Sequence, residues 1–400
     1  MPSTTKELLA RYVRVRRATE AICAPLEIDD HLVQPVDFVS PPKWHLGHTT
    51  WFFETFVLKK HLPGYLEIDP HYRWVFNSYY EALGERVQRP KRASMARPTL
   101  AQVREYRAIV DALVPQPVQS LTDAQWCEFA PLFELAMQHE EQHQELLYMD
   151  IKYILRCSPS RPAYSCAGPI PTSPTSSGFL DIPGGIQQIG FDGDAFCFDN
   201  ERPRHDVLLR NARIARAPVT NGEYLAFIDD GGYNRPDLWL SDGWARVQTE
   251  QWAAPLYWEM IDGVWHEFTL RGLSPVERST PVCHVSYFEA DAFARWSGKR
   301  LPTESEYEVA VQRHGVGTGG MLGVGAVWEW TSSAYLAYPG FVPFAGALAE
   351  YNGKFMVNQM VLRGGCCATP DGHARITYRN FFQPEMRWQF AGIRLADDTH

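Results

Sequence analysis

Apolar residues recur at three- and four-residue spacing over Thr5–Ala24, Trp44–Leu62, Leu100–Leu113 and Leu132–Leu155, a pattern that predicts four amphipathic helices. Ser40-Pro41-Pro42 and Arg97-Pro98-Thr99 punctuate the chain before the second and third. Pro131 stands just before the fourth, a place where a helix's first turn tolerates proline. Short connections between such helices predict an up-and-down four-helix bundle. Ser158–Ser177 is dense in Ser and Pro, carries no periodicity and reads as a linker. Beyond it, short β-rich pieces (Phe179–Pro183, Gly185–Phe191, His205–Leu209, Ala212–Ala217) alternate with turn residues and with helical stretches at Asn221–Asp229 and Phe288–Ser297. The expected architecture is multi-domain, α followed by α+β: a bundle over 1–157, a linker over 158–178, and a second domain over 179–400.

The length of 400 residues fits two domains. A net charge of −9 argues against a sequence-independent nucleic-acid binder. No uncharged apolar run is long enough for a membrane span, and Met1–Glu20 is charged throughout, so the expectation is a cytoplasmic protein with neither a membrane nor a nucleic acid as partner. The cysteines form no CxxC pair and are expected to be thiols, the adjacent Cys366 and Cys367 included.

His139-Glu140-Glu141-Gln142-His143 lies inside the fourth helical stretch, so its two imidazoles, four apart, share a face and can meet one metal ion. The string also matches HExxH, the zinc-peptidase motif, but Leu146 and Met149 replace the Gly and His that one such class needs, and linker follows Leu155 where another class needs a ligand helix. His45 and His48, three apart at the start of the second helix, can supply a third imidazole. A three-His face leaves coordination positions open, which suits catalysis. Glu140, Glu141 and Glu145 read as solvated, or as carboxylates that orient a ligand imidazole. Tyr79 and Tyr80 are adjacent in a turn region. Arg86, Arg89, Lys91, Arg92 and Arg97 form a basic segment, either a solvated loop or a carboxylate clamp.

A longer order of motifs adds to these residues. Leu46-Gly47-His48, Phe76-Asn77-Ser78-Tyr79-Tyr80 and the His139–His143 string precede the linker. Asp199-Asn200-Glu201-Arg202-Pro203, Arg300-Leu301-Pro302-Thr303-Glu304, Val327-Trp328-Glu329-Trp330-Thr331, Leu362-Arg363-Gly364-Gly365, Tyr378-Arg379-Asn380-Phe381-Phe382 and Gly392-Ile393-Arg394-Leu395 follow it. The first half resembles the DinB-like helical bundle and the second the formylglycine-generating-enzyme-like, C-type-lectin-related fold. Together they resemble the ergothioneine-biosynthetic sulfoxide synthases.

That resemblance implies a non-haem iron(II) enzyme that uses O2 to join hercynine, at the imidazole carbon between the nitrogens, to a thiol donor such as cysteine, giving a sulfoxide. It implies His48, His139 and His143 as iron ligands, with His45 outside the set. It implies Gln142, Asn380 and Phe381 as hercynine contacts and Tyr79 or Tyr80 as proton donor. Arg89, Arg92 and Arg97 would hold the donor's carboxylate, and the second domain, with the Trp328–Trp330 region, would complete the substrate pocket. The basic segment departs from the family pattern: Arg92-Ala93-Ser94-Met95-Ala96-Arg97-Pro98 stands where relatives read Arg-Gly-Leu-Leu-Ser-Arg-Pro. Gly315–Gly325 is short, and Cys366 stands where Ser is frequent. These changes keep open the related selenoneine synthases, which couple hercynine to a selenosugar. A copper formylglycine-generating enzyme would place its paired cysteines near Thr369 and Ala374; neither position is a cysteine, and Cys366 and Cys367 are adjacent and misplaced for that pair. A non-catalytic lectin-like binding protein would have no use for the three histidines.

Overall fold

The computed structural model describes residues 5–172 and 176–398. Residues 173–175 of the Ser/Pro-rich stretch lie outside the described residues, as do the first four and last two of the chain. Two compact units result: Met1–Tyr164 with Asp194–Phe196 and Phe344–Tyr351, and Ser165–Gly193 with Cys197–Pro343 and Asn352–His400. Among the described residues no helix is long and apolar enough to cross a membrane.

The first unit is built on α1 (Thr5–Cys23), α2 (Pro42–Phe53), α3 (Leu100–Leu113) and α4 (Asp123–Cys157). α1 buries one stripe, Leu8, Tyr12, Val15, Thr19 and Ile22, at helical spacing, against α4. All twelve residues of α2 are buried, because it lies between α3 and α4. α2 runs on into a single π turn, Glu54–Leu58. α4 begins earlier than the apolar pattern predicts. Thr122 caps it in a capping box with Gln125, and Pro131 lies inside the helix instead of opening it. Such a proline forfeits one intrahelical hydrogen bond, which this long helix absorbs.

Polar side chains tie the helices together. The Glu140 carboxylate is fully buried and accepts from Arg16 Nη1 (2.7 Å), Arg107 Nη2 (2.6 Å) and Thr19 Oγ1 (2.6 Å), which come from α1 and α3. Burial alone would raise its carboxyl pKa; the two guanidiniums outweigh it and hold the group at about 2. Glu140 is therefore a structural anion and not a solvated residue. Glu141 is also buried and pairs with Arg11 (2.9 Å).

In the second unit, α8 (Glu304–His314) packs against β1 (Phe179–Ile182), β2 (Gly185–Ile189), β4 (Ala212–Ala215), β8 (Trp328–Ala334) and β9 (Met360–Arg363); α5 (Asn221–Asp229), α6 (Ser241–Glu250) and α7 (Tyr287–Trp296) precede α8 in the chain. The remaining strands are β3 (His205–Leu209), β5 (Trp258–Ile261), β6 (Val264–Thr269), β7 (Gly272–Pro275), β10 (Asn380–Phe382), β11 (Ala391–Gly392) and β12 (Ala396–Asp398). The sheet orders are β10-β9-β8-β11, β1-β4-β12, β5-β6-β7 and β2-β3, all antiparallel but for β11 against β8. The quoted sequence motifs supply both halves of two buried ion pairs, Glu329 with Arg394 (2.5 Å) and Glu304 with Arg379 (2.8 Å), and Arg363 of another motif pairs with Glu308. None of the eight cysteines is in a disulfide.

Gly47 is the close-packing point of the first unit. A Cβ there would lie 2.1 Å from Cε1 of Phe76, a ring itself buried with no room to retreat. Gly47→Ala should cost about 1–3 kcal/mol through overpacking, despite alanine's better helix propensity. Glu140→Ala should cost about 3–5 kcal/mol, because it strands two buried guanidiniums. Urea unfolding followed by circular dichroism measures both; unchanged midpoints would contradict these accounts of the core.

Candidate metal centre

α2 and α4 bring His48, His139 and His143 together, all buried, with their candidate ligand nitrogens within 4.8 Å of one another. His139 and His143 meet because one helical turn separates them, and His48 comes from the fully buried α2. The three rings are walled by aromatics. Trp44 stacks on His48 (4.5 Å between centroids, 10° between planes) and Phe52 on His139 (4.2 Å, 24°).

Hydrogen bonds set the protons. His48 Nδ1 donates to the carbonyl of Phe76 at 2.5 Å, so its Nε2 carries a lone pair. That Nε2 faces His139 Nε2 at 3.1 Å. His139 Nδ1 has no partner and is buried. His143 Nδ1 lies 2.8 Å from His45 Nδ1, and His45 Nε2 lies 2.9 Å from Asp150 Oδ2. Burial pushes His48 and His143 well below the usual imidazole range, and His139 to about 3, so all three are neutral bases at neutral pH. Neutral buried nitrogens converging to within 4.8 Å suit a divalent cation, and three imidazoles without a carboxylate suit a first-row metal with open positions.

Gln142 sits between two of these histidines in α4, and its Oε1 accepts a hydrogen bond from the Tyr351 hydroxyl. Tyr351 belongs to the 344–351 segment, far along the chain yet part of the first unit. Its ring lies 5.9 Å from His139 and 6.5 Å from Tyr79. Next to it, the Glu350 carboxylate accepts from the backbone N–H groups of Glu81 (3.1 Å) and Ala82 (3.0 Å), just after the tyrosine pair. Tyr80 is fully buried, and its hydroxyl points to that of half-buried Tyr79 at 3.5 Å. Desolvation pushes the Tyr80 phenol pKa well up and keeps it protonated.

The basic segment is not a uniform solvated loop. Arg92 is buried, with its guanidinium 3.3 Å above the Trp44 ring, and bonds Ser40 Oγ (2.7 Å) and Ser78 Oγ (3.3 Å). Its Nε has no partner, and it makes no ion pair among the described residues. Burial, with the Arg89 charge adding to it, depresses its pKa well below that of a free guanidinium. Arg89 bonds the Phe38 carbonyl, and Arg97 reaches only the carbonyl of Ala96 (3.0 Å).

Asn380, Phe381 and Trp330 belong to the second unit. Phe381 stacks on Tyr335 (4.0 Å, 11°), and Asn380 opens β10 with its Oδ1 accepting from Phe381 N–H. Trp330 is fully buried in that unit's core, its indole N–H given to the Val285 carbonyl (2.9 Å). The sequence reading missed Asp150, although it lies seven residues after His143 on the same helical face. It also missed Tyr351, which no local pattern marks.

Residues 11–147 match the DinB superfamily, and 167–322 and 313–399 match the Sulfatase-modifying factor enzyme 1-like domain. The chain is 32% identical to the hercynine oxygenase of Mycolicibacterium smegmatis, over 90% of this chain and 92% of that one. It is 31% identical to that of Mycobacterium tuberculosis, over 99% of this chain and 100% of that one. The formylglycine-generating enzyme of Streptomyces coelicolor is 31% identical, but over only 43% of this chain and 56% of its own. With both halves matched in order and the mycobacterial similarity running nearly end to end, the chain belongs to the hercynine oxygenase family.

Proposed function

We propose that the protein is an iron(II)- and O2-dependent enzyme that couples hercynine to a carboxylate-bearing thiol such as cysteine. The observation that carries this reading is the buried set of His48, His139 and His143 with candidate ligand nitrogens within 4.8 Å of one another. The overall reaction balances as hercynine C–H plus thiol S–H plus O2 giving a C–S(=O) sulfoxide and water, with four electrons passing to oxygen. Iron(II), when bound, supplies the one-electron chemistry that triplet dioxygen requires.

The chain's own residues do the rest. Gln142, its amide oxygen accepting from the Tyr351 hydroxyl, is fixed in orientation beside the histidines and contacts the hercynine imidazole. The aromatic face of Phe381, backed by Tyr335, is of the kind that attracts a trimethylammonium group. Tyr79 holds the proton delivered to reduced oxygen, and Tyr80, buried and protonated behind it, resupplies that hydroxyl. Arg92 favours a donor with a carboxylate: a buried guanidinium with an unused N–H and no ion pair gains most from an anion. An uncharged selenosugar would leave it uncompensated.

The test is to load the protein anaerobically with iron(II), add hercynine and air, and offer cysteine, γ-glutamylcysteine or a selenosugar in parallel. Mass spectrometry should find a sulfoxide conjugate with one of the thiols. Selenium coupling with both thiols inert would overturn the donor assignment, and no product from any donor would overturn the enzyme reading. Replacing each of His48, His139 and His143 by Ala should abolish stoichiometric iron binding, read by metal analysis after desalting. Arg92→Ala should raise the KM for the thiol about 10- to 100-fold, the worth of a hydrogen bond to a charged group, and leave the KM for hercynine unchanged.

A further inference from the structure

Of the buried polar groups beside the histidine cluster, His45 and Asp150 have no part in the reading above. His45 is 2% exposed and Asp150 1%. Both cost folding free energy unless their hydrogen bonds are met. They meet them in a line that ends on a proposed ligand: Asp150 Oδ2 to His45 Nε2 at 2.9 Å, then His45 Nδ1 to His143 Nδ1 at 2.8 Å. The Ser40 backbone N–H, just before α2, donates to the same Asp150 oxygen at 2.9 Å and holds it in place.

We propose that Asp150 and His45 form a positioning relay that fixes the tautomer and ring orientation of His143 for metal binding. The inference rests on the iron-centre reading and goes beyond it. Asp150 Oδ2 accepts from the Ser40 N–H and takes its second hydrogen bond as an acceptor too, so the proton between Asp150 and His45 sits on His45 Nε2. His45 Nδ1 is then a lone pair, and the only proton that can fill the 2.8 Å gap is the one on His143 Nδ1. His143 Nε2 is left bare, and it is the nitrogen free to face the other two imidazoles. One chain of hydrogen bonds thus selects the ligating tautomer. The carboxylate at its far end draws the His143 proton outward and makes Nε2 a better donor to a cation.

The geometry also explains the histidine pair at the start of α2. His45 and His48 are three apart, so both lean toward α4, but they act differently. His48 offers its own Nε2, with its Nδ1 proton on the Phe76 carbonyl. His45 offers no nitrogen to a metal, because both of its nitrogens are engaged. His143 and Asp150, seven apart on α4, complete the line from the same face of that helix.

The experiment measures iron(II) affinity anaerobically by competition with a chelator, and the visible absorption of the cobalt(II)-loaded protein, without any turnover. His45→Phe keeps the ring and breaks both hydrogen bonds; it should weaken binding about 10- to 100-fold and shift the cobalt bands. His45→Gln can donate from its amide nitrogen to Asp150 and accept the His143 proton on its amide oxygen, so it should restore affinity to within about threefold of the parent, the amide replacing both hydrogen bonds. Asp150→Asn, isosteric and accepting more weakly, should fall between them and keeps the test decisive if His45→Phe does not fold. Parent-like affinity in His45→Phe or Asp150→Asn, or equal losses in the Phe and Gln variants, would overturn the relay. His48→Ala separates the two readings: if it too binds iron like the parent, the iron centre itself falls, whereas its loss of binding beside an unaffected His45→Phe removes only the relay.

Discussion

The burial of the Glu140 carboxylate between Arg16 and Arg107 is the constraint on which the first unit turns. A fully desolvated anion is tolerated only where cations and donors saturate it, and here they come from α1 and α3. The pairing therefore fixes the rotation of α4 about its own axis. His139 is the preceding residue, so fixing Glu140 toward the arginines sends His139, and His143 one turn on, toward α2. The same i,i+1 step that separates the two faces of a helix separates the structural anion from the buried histidine cluster.

From that constraint the rest of the site follows. α2 must be buried on every side to place His48 opposite His139, and it can lie this close to Phe76 only because residue 47 lacks a Cβ. Phe76, pressed against α2, gives its carbonyl to His48. Trp44 then covers the His48 ring, and the Arg92 guanidinium lies over the Trp44 ring. A glycine, an aromatic and a guanidinium that look unrelated in the chain form one stack beside the three imidazoles. The second unit repeats the same economy: Glu304, Glu308 and Glu329 are each closed by an arginine from a later motif.

Much of this was legible in the sequence because its signals are local. Helical periodicity gave three of the four bundle helices nearly to their ends, and the four-residue spacing of His139 and His143 placed two imidazoles on one face. The start of α4 was misjudged because Pro131 is a strong punctuation signal, whereas the capping pair Thr122 and Gln125 is a weaker one. α8 carries a similar pair, Thr303 and Glu306, but no strongly apolar stripe to mark it in the chain. The motifs after the linker were visible as strings. Their physical role, as halves of buried ion pairs, was not, since the partners lie tens of residues apart.

By itself the sequence determined the two-part architecture and the helices that carry the histidines, and its motif order pointed to the family. These depend on spacing within a helix or on runs of residues, which a linear chain displays directly. Tertiary structure alone decided that Glu140 is a structural anion, that His45 and Asp150 line up behind His143, and that Arg92 is buried without a carboxylate. It also decided that Tyr351, more than two hundred residues after Gln142, supplies that side chain's hydrogen bond. Each of these depends on desolvation and on donor–acceptor geometry between segments distant in sequence, and neither quantity exists until the chain has closed on itself.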